Sequence, residues 1–479
     1  MSTILLNDTA IDASQAPAHQ SLLDFVRSTG RLTGTKEGCA SGDCGACTLI
    51  VRETDGTDPI NVNSCITPVG AAISKQVITV EGVGTPDQMH PVQQAMVDHH
   101  GSQCGFCTPG FVMSLVAAQL RSGSQAPDKE SAITSISGNL CRCTGYRPII
   151  DAALAATTAP TAAAALESAP LSASVDAANT SYTRPKKLKD VLAQLKAQGA
   201  QRRLGTAQAP APWLLAGATD AFLEVSQQYL DPVSILDLSE VSELKGFASN
   251  KDGGLTIGAA TTHADALEFF SQPKSKSSAI TDVLNRFGSP QIRNRGTLGG
   301  NIANASPIAD WPPLLIALNA SVTLVNAGGK ERHMPLDTFY LGYKSTQLAA
   351  DELIKDIQIP AGTEFSALHA HKISKRFEDD ISSALGAIYL RLKDGSVSDC
   401  RIAYGGVGPV PMRGTNTEEI LLGQTLNKER IETAVAALAS DITPISDVRA
   451  SENYRRKACQ AVLREALVNA LNSSRRGDA

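Results

Sequence analysis

The sequence predicts a multidomain α+β protein, and three observations carry that expectation. At 479 residues the chain exceeds what one ordinary hydrophobic core organises, a length suited to about three domains. Eight of the ten cysteines lie before position 144, in two separate groups. The apolar pattern also changes along the chain: short alternating runs to about residue 80, helical spacing from about 87 to 156, and a mixed pattern after an alanine-rich stretch.

A formal net charge of −5 provides no basic stripe, so nucleic acid and polybasic membrane binding have nothing to rest on. Residues 1–10 lack both a basic start and an apolar core, and no run approaches the roughly eighteen apolar residues of a membrane span. The chain is therefore expected to be cytoplasmic, without a membrane or nucleic-acid partner. In a reducing compartment, grouped cysteines point to metal or catalytic use rather than disulfides. Cys400 and Cys459 stand apart and are expected to be ordinary buried thiols.

The first group is Cys39, Cys44 and Cys47 in one glycine-rich loop, completed by Cys65 beyond the apolar run Thr48-Leu49-Ile50-Val51. This is the plant-type ferredoxin spacing for a 2Fe–2S cluster. Gly38, Gly42 and Gly45 suit the chemistry, because the backbone must approach the cluster closely and adopt unusual dihedrals. Around the loop, residues 1 to about 80 have the runs and turns of a small β-grasp-like domain. Thr3-Ile4-Leu5-Leu6-Asn7 and Thr48 to Arg52 are predicted hairpin strands, Asp55-Gly56 a turn, Ser21 to Arg27 a Ser-capped helix, and Val77 to Gly82 the closing strand.

The second group is Cys104 and Cys107, then Cys141 and Cys143. Helices are expected from His90 to Val97, from Thr108, from about Ser131 to Ser137, and from Arg147 to Ala156. Two helix-loop-helix units of this kind can pack as a four-helix bundle with the four thiolates converging where the loops meet. Such a set could hold a tetrahedral zinc or a second 2Fe–2S cluster. The unusual C-x-C pair and the neighbouring cluster domain favour the cluster.

Residues 157–181, rich in Ala, Ser, Thr and Pro, read as a linker. Beyond it, Arg184 to Asp190 lead into a helix, and Trp213 to Asp220 read as a strand running into a glycine turn and a further helix. A second glycine turn spans Arg295 to Pro307, with Asp310 behind it. Small residues at two turns suit a dinucleotide pyrophosphate, whose oxygens need backbone N–H groups free of Cβ interference, but on spacing alone ordinary tight turns are the favoured reading. Neither is a Rossmann G-x-G-x-x-G, and no P-loop occurs. Gly405-Gly406-Val407-Gly408 reads as a plain turn. From about 365, alternating runs followed by helices from Glu429 and Ser451 suggest a small α+β domain. Arg455-Arg456-Lys457 is expected on a solvated helix face, and Ser473 to Arg476 as a frayed end.

Gln103-Cys104-Gly105-Phe106-Cys107-Thr108-Pro109-Gly110, together with Gly138-Asn139-Leu140-Cys141-Arg142-Cys143-Thr144-Gly145-Tyr146-Arg147, resembles the iron–sulfur/flavin small subunits of the xanthine dehydrogenase/aldehyde oxidase family of molybdenum hydroxylases. The resemblance covers nearly the whole chain and implies five segments: a ferredoxin-like 2Fe–2S domain (1–84), a helical four-helix 2Fe–2S domain (85–156), the Ala-rich linker (157–181), an α+β FAD-binding domain (182–362) and a small α+β C-terminal flavoprotein domain (363–475). It implies metal ligation by Cys39, Cys44, Cys47, Cys65, Cys104, Cys107, Cys141 and Cys143. It implies FAD binding by Leu214, Leu215, Ala216, Gly217, Ala218, Thr219, Asp220 and Ala221, by Thr297, Leu298, Gly299, Gly300 and Asn301, and by Asp310, Ile354 and Lys372, with Phe287 beside the isoalloxazine. Tyr343 is similar to a tyrosine near the nicotinamide, and Gln103 and Cys143 to residues facing the pterin. Ala218 departs from the pattern, since many relatives have a second glycine there.

No part of the chain resembles the large molybdenum-binding domain, so substrate oxidation is expected on a partner chain carrying the molybdenum cofactor, in a heterotetramer of two small and two large subunits. The implied function is electron transfer from that partner through two 2Fe–2S clusters to FAD and on to NAD, in the oxidation of hypoxanthine and xanthine to urate. An aldehyde, carbon monoxide or N-heterocycle hydroxylase, a partner-free flavin reductase, and a zinc-containing non-redox binding protein are the alternatives.

Overall fold

A computed structural model describes residues 2–53, 59–122, 127–156, 181–200 and 211–476. The expected Asp55-Gly56 turn and positions 157–180 of the alanine-rich stretch lie outside them. The chain forms two compact units. One lies within Met1–Lys186, Gln198–Glu240 and Gly288–Gly296, the other within Lys187–Ala197, Val241–Phe287 and Thr297–Ala479. The multidomain α+β expectation holds, and residues 182–362 contribute to both units.

In the first unit a five-stranded sheet has the order Thr9–Asp12, Thr3–Leu6, Gln76–Ile78, Thr48–Arg52, Ile60–Asn63. Its two hairpins are Thr3–Leu6 with Thr9–Asp12, and Thr48–Arg52 with Ile60–Asn63. Gln76–Ile78 lies between them, parallel to the first strand. Ser21 caps the helix at Leu22–Asp24, its hydroxyl accepting from the Asp24 N–H at 3.0 Å. Alternating residues of the strands bury Ile4, Leu6, Leu49 and Val62 against Leu22, Phe25 and Val26. The closing strand is shorter than the alternation at 77–82 predicts, because Val80–Val83 is helical. The Asn7 carboxamide accounts for the break: its Oδ1 accepts from the Thr79 N–H at 2.9 Å and turns the chain where the alternation continues.

Four helices follow at Pro91–Asp98, Thr108–Ser122, Lys129–Ile136 and Arg147–Ala155, close to the expected spans. His90 Nδ1 and Asp128 Oδ1 cap two of them. Their apolar faces bury Val92, Met96, Phe111, Val112, Val116, Ile136 and Ile149. A small parallel sheet of Tyr182–Thr183, Ile235–Asp237 and Trp213–Leu215 completes this unit.

The second unit has an antiparallel sheet in the order Glu331–Pro335, Ser321–Asn326, Glu352–Ile359, Leu255–Gly258, Phe247–Ser249. Helices His263–Ser271, Ser278–Asn285 and Trp311–Ala317 share its core of Phe270, Leu284, Trp311 and Ile357. A four-stranded antiparallel sheet (Leu368–Ile373, Ala384–Lys393, Ser396–Gly405, Met412–Arg413) carries Thr415–Leu421, Lys428–Ala437 and Glu452–Arg476. Cys400 and Cys459 are buried in its core, as expected.

Two tail expectations are corrected. Arg455 is 2% exposed, not solvated: its guanidinium donates to Asp447 Oδ1 at 2.6 Å and to the Gly406 carbonyl, so paired donors replace water. Residues 473–476 continue the helix instead of fraying. Among the described residues no helix is long and apolar enough to cross a membrane.

Candidate functional site

Strand pairing assembles the first cysteine group. Thr48 opposite Asn63 brings the chain after Cys47 against the turn holding Cys65, where the Cys47 carbonyl accepts from the Ser64 N–H and hydroxyl at 3.3 and 2.7 Å. The Cys47 and Cys65 sulfurs lie 3.3 Å apart. Cys39 Sγ accepts N–H groups from Ser41 at 3.4 Å and Cys44 at 3.3 Å. Contact with the thiols of Cys44 and then Cys65 holds Cys39 well below the usual thiol range, while facing Cys39 pushes Cys44 up. The glycines are needed as expected: a Cβ on Gly38 would lie 2.7 Å from Cys44 Sγ, and Gly42 and Gly45 have φ of +82° and +66°. Sulfurs in mutual contact, one of them accepting two backbone N–H groups, are a donor set that fits a 2Fe–2S cluster.

In the second group the helix ends pair the thiols across the two loops. Cys107 faces Cys141, and burial followed by that contact pushes Cys107 up to about 12. Cys143 faces Cys104, which raises it. Cys141 is buried and Cys107 half-buried, whereas Cys104, Cys143 and Gln103 are exposed. Tyr146, left-handed at φ +67°, turns its hydroxyl to accept the Cys141 N–H at 3.1 Å. Among the described residues no three His, Cys, Asp or Glu side chains close on a single ion position.

The two cysteine loops touch. The Leu140 N–H, one residue before Cys141, donates to the Cys44 carbonyl at 2.9 Å. Asn139 Nδ2 donates to the Gly45 carbonyl at 3.0 Å, and Ser114 Oγ donates to Asn139 Oδ1 at 2.6 Å. Gln291, a residue the sequence did not single out, adds its carboxamide to this buried knot. A lone glutamine between Pro290 and Ile292 gives no local signal of that role.

The first glycine turn leaves strand Trp213–Leu215. A Cβ on Gly217 would lie 2.1 Å from the Arg295 carbonyl oxygen and 2.9 Å from Gly296 Cα. Ala218 sits at φ +66° and is buried, so alanine occupies a position whose backbone favours glycine, at a strain of about 1–2 kcal/mol. Leu214, Ala216, Thr219 and Ala221 are half-buried, Leu215 buried and Asp220 exposed. Gly217→Ala is expected to force these backbones apart, destabilising the turn by roughly 1–3 kcal/mol, and to reduce bound FAD by at least half while iron is retained. Flavin and iron analysis of the purified variant checks this, and full flavin occupancy would refute it.

In the second unit, Thr297 to Asn301 form the first turns of a helix, Leu298–Ala303, rather than a bare turn. The reason is local: Thr297 Oγ1 accepts from the Gly300 N–H at 3.1 Å and caps it. Gly299 packs where a Cβ would lie 2.6 Å from Ala259 Cβ. Gly300 is exposed, and Asn301 Oδ1 is buried with no hydrogen-bond partner among the described residues. An open glycine beside an unpaired buried oxygen fits a polar ligand such as a dinucleotide. Elsewhere in this unit Lys372 Nζ meets Asp310 Oδ2 at 2.7 Å and the Arg286 carbonyl at 3.1 Å, and it lies 5.8 Å from the Phe287 ring centroid. Ser382 holds the other Asp310 oxygen at 2.5 Å. Phe287, Asp310 and Lys372 are therefore brought together, while Ile354 is a core residue at 5% exposure. Tyr343 is 70% exposed, so it is not a core aromatic. Its hairpin is tied to the helix end by the Lys344 N–H, which donates to the Ala305 carbonyl at 3.2 Å.

Four family models match in sequence: the 2Fe-2S iron-sulfur cluster binding domain at 7–70, the [2Fe-2S] binding domain at 79–154, the FAD binding domain in molybdopterin dehydrogenase at 176–362, and the CO dehydrogenase flavoprotein C-terminal domain at 369–470. The chain belongs to the molybdenum hydroxylase family. Each cysteine group falls in one of the two 2Fe–2S matches, and both glycine segments fall in the FAD match. Among molybdenum hydroxylases, the chain is 34% identical to xanthine dehydrogenase 2 of Arabidopsis thaliana, over 89% of this chain and 36% of that protein. It is 32% identical to the xanthine dehydrogenase of Emericella nidulans, over 91% and 36%. The chain thus spans about a third of the length of these relatives. A solved chain of the carbon monoxide dehydrogenase from Hydrogenophaga pseudoflava is similar at TM-score 0.54 and 28% identity, over 61% of this chain and 96% of that one. This chain is therefore the 2Fe–2S and FAD part of a molybdenum hydroxylase.

Proposed function

We propose that this chain is the electron-transfer subunit of a cytoplasmic xanthine dehydrogenase, working with a partner chain that carries the molybdenum cofactor and oxidises hypoxanthine and xanthine to urate. In this reading Cys104, Cys107, Cys141 and Cys143 hold the 2Fe–2S cluster nearer the partner, and Cys39, Cys44, Cys47 and Cys65 hold the other. FAD is held by residues 214–221 and 297–301 with Phe287, Asp310, Ile354 and Lys372, and NAD is received near Tyr343. When bound, the clusters supply one-electron carriers and the flavin a site where two electrons collect for hydride transfer to NAD. The observation that carries the reading is the direct joining of the two cysteine loops, with the Cys44 carbonyl bonded to the residue that precedes Cys141.

The residues of the chain have definable tasks in this scheme. Cys104, Cys143 and Gln103 lie on the surface, where a partner's cofactor can reach, while Cys47 and Cys65 are shielded from water. Lys372 and Asp310 hold each other in place next to Phe287. The xanthine dehydrogenase relatives support this substrate, and the ten unbridged cysteines support a cytoplasmic setting. A second reading, a carbon monoxide dehydrogenase part, is favoured by the solved chain at TM-score 0.54.

The test is anaerobic purification of the chain with whatever partner accompanies it, followed by iron, zinc, flavin and molybdenum analysis and assay with xanthine and NAD. The expected result is two 2Fe–2S clusters, hence about four irons, with one FAD per chain, a molybdenum-bearing partner in a two-plus-two assembly, and xanthine-dependent NADH formation. Zinc in place of the second cluster would confine the electron-transfer wire to one cluster, and a colourless protein that cannot be reconstituted would end the electron-transfer reading. Carbon monoxide oxidation without xanthine oxidation would select the second.

A further inference from the structure

We infer that Gln291 is a positioning residue that sets the spacing between the two cysteine loops and so between the clusters they hold. The inference rests on the two-cluster reading above. Gln291 is 1% exposed, and its Nε2 lies 3.2 Å from Thr48 Oγ1, 3.2 Å from Ser114 Oγ and 3.3 Å from Asn139 Oδ1. Each partner is near a ligand of a different loop: Thr48 follows Cys47, Ser114 lies on the helix opened by Thr108 just after Cys107, and Asn139 stands two residues before Cys141. One carboxamide therefore addresses both cysteine groups at once.

The surrounding packing leaves the side chain no other place. A Cβ on Gly138 would lie 2.2 Å from Gln291 Oε1 and 2.4 Å from Ser289 Cβ, and a Cβ on Gly110 would lie 2.2 Å from the Gly45 carbonyl oxygen. Glycines at 110 and 138 thus let the two loops close to backbone contact. Thr48 Oγ1 donates to the Gly45 carbonyl at 2.6 Å, and Asn139 Nδ2 shares that carbonyl. The flanking residues hold Gln291 in register. Ile292 packs in the cluster that contains Cys47 and Cys65, and Asn294 Nδ2 donates to the Asn61 carbonyl at 2.9 Å. Gln291 Oε1 is buried without a hydrogen-bond partner among the described residues, so the constraint comes from the Nε2 donor, which meets acceptors from both cysteine groups at once. An apolar side chain would fill the same volume, so the donor indicates fixed geometry rather than packing.

The test uses the full chain loaded with its cofactors, comparing wild type with Gln291→Met, which keeps the volume and removes the donor, and with the milder Ser114→Ala. In the reduced protein the magnetic splitting between the two clusters is read by EPR, and hydrogen exchange is read at the Leu140 N–H that bonds Cys44. Gln291→Met is expected to keep four irons and the individual cluster signals, to alter the splitting, and to speed Leu140 exchange about tenfold. Ser114→Ala should move both readouts the same way by less. Gly138→Ala, which displaces Gln291 without removing it, should reproduce the larger effect. Unchanged splitting and exchange in Gln291→Met overturn the inference. If that variant cannot be recovered, unchanged readouts in Ser114→Ala overturn it instead. Zinc in the wild-type protein would overturn the two-cluster reading itself, and only the wild-type metal analysis reports that.

Discussion

Gly45→Ala is expected to cost the chain at least half of its iron and to lower the stability of the first unit by about 2–5 kcal/mol. Two penalties add. At φ +66° an L-residue is strained by about 1–2 kcal/mol. The new methyl would also lie 2.2 Å from the Gly138 carbonyl oxygen and 2.5 Å from Asn139 Nδ2, both in the wall of the other cysteine loop. Relieving such overpacking costs about 1–3 kcal/mol. Gly395→Ala provides the control: at φ +73° with nothing within 4 Å of its Cβ, it isolates the dihedral penalty. Iron per chain and the unfolding midpoint decide the matter. Full iron content and a midpoint matching the Gly395→Ala variant would show that the two loops do not need their close approach.

Lys372→Met and Asp310→Asn should each destabilise the second unit by about 3–5 kcal/mol, and the double variant should lose less than the worse single one. The side chains are 2% and 5% exposed and meet at 2.7 Å. Removing one partner strands a buried charge, which costs several kcal/mol, while replacing both removes the desolvation cost together with the attraction. Asp310 without Lys372 would keep the Ser382 hydroxyl and the more distant charge of Arg286, and Lys372 without the Asp310 charge would keep the Arg286 carbonyl. Urea unfolding of the three variants measures the coupling. Additive losses would mean that the pair is not acting as one unit, and that Phe287 is oriented by packing alone.

Features with a short reach were legible in the sequence. The cysteine spacings, the Ser21 and helix-bundle boundaries, and the strained glycines at 42 and 45 are each set by a few neighbouring residues, and local pattern suffices to read them. What escaped depends on residues far apart. The strand expected through Gly82 ends early because Asn7 reaches across to Thr79. Arg455 is buried because Gly406 and Asp447 happen to meet it, although its own segment is as polar as a surface helix. The Thr297 segment was read as a turn since six residues of helix carry too little periodicity to register. Gln291 was invisible for the same reason on a larger scale, since its three partners lie 152 to 243 residues away.

That separation has a consequence for biosynthesis. Between Cys143 and Gln291 lie about 150 residues, which at roughly 5–20 residues per second take a ribosome about 7–30 s to add. For that interval all eight cysteines of the two groups exist on a nascent chain that still lacks Gln291. In the two-cluster reading, iron and sulfide have that interval in which to enter before Gln291 can join Thr48, Ser114 and Asn139. Moving Gln291 to a separately translated fragment would turn that timed step into an encounter that depends on concentration.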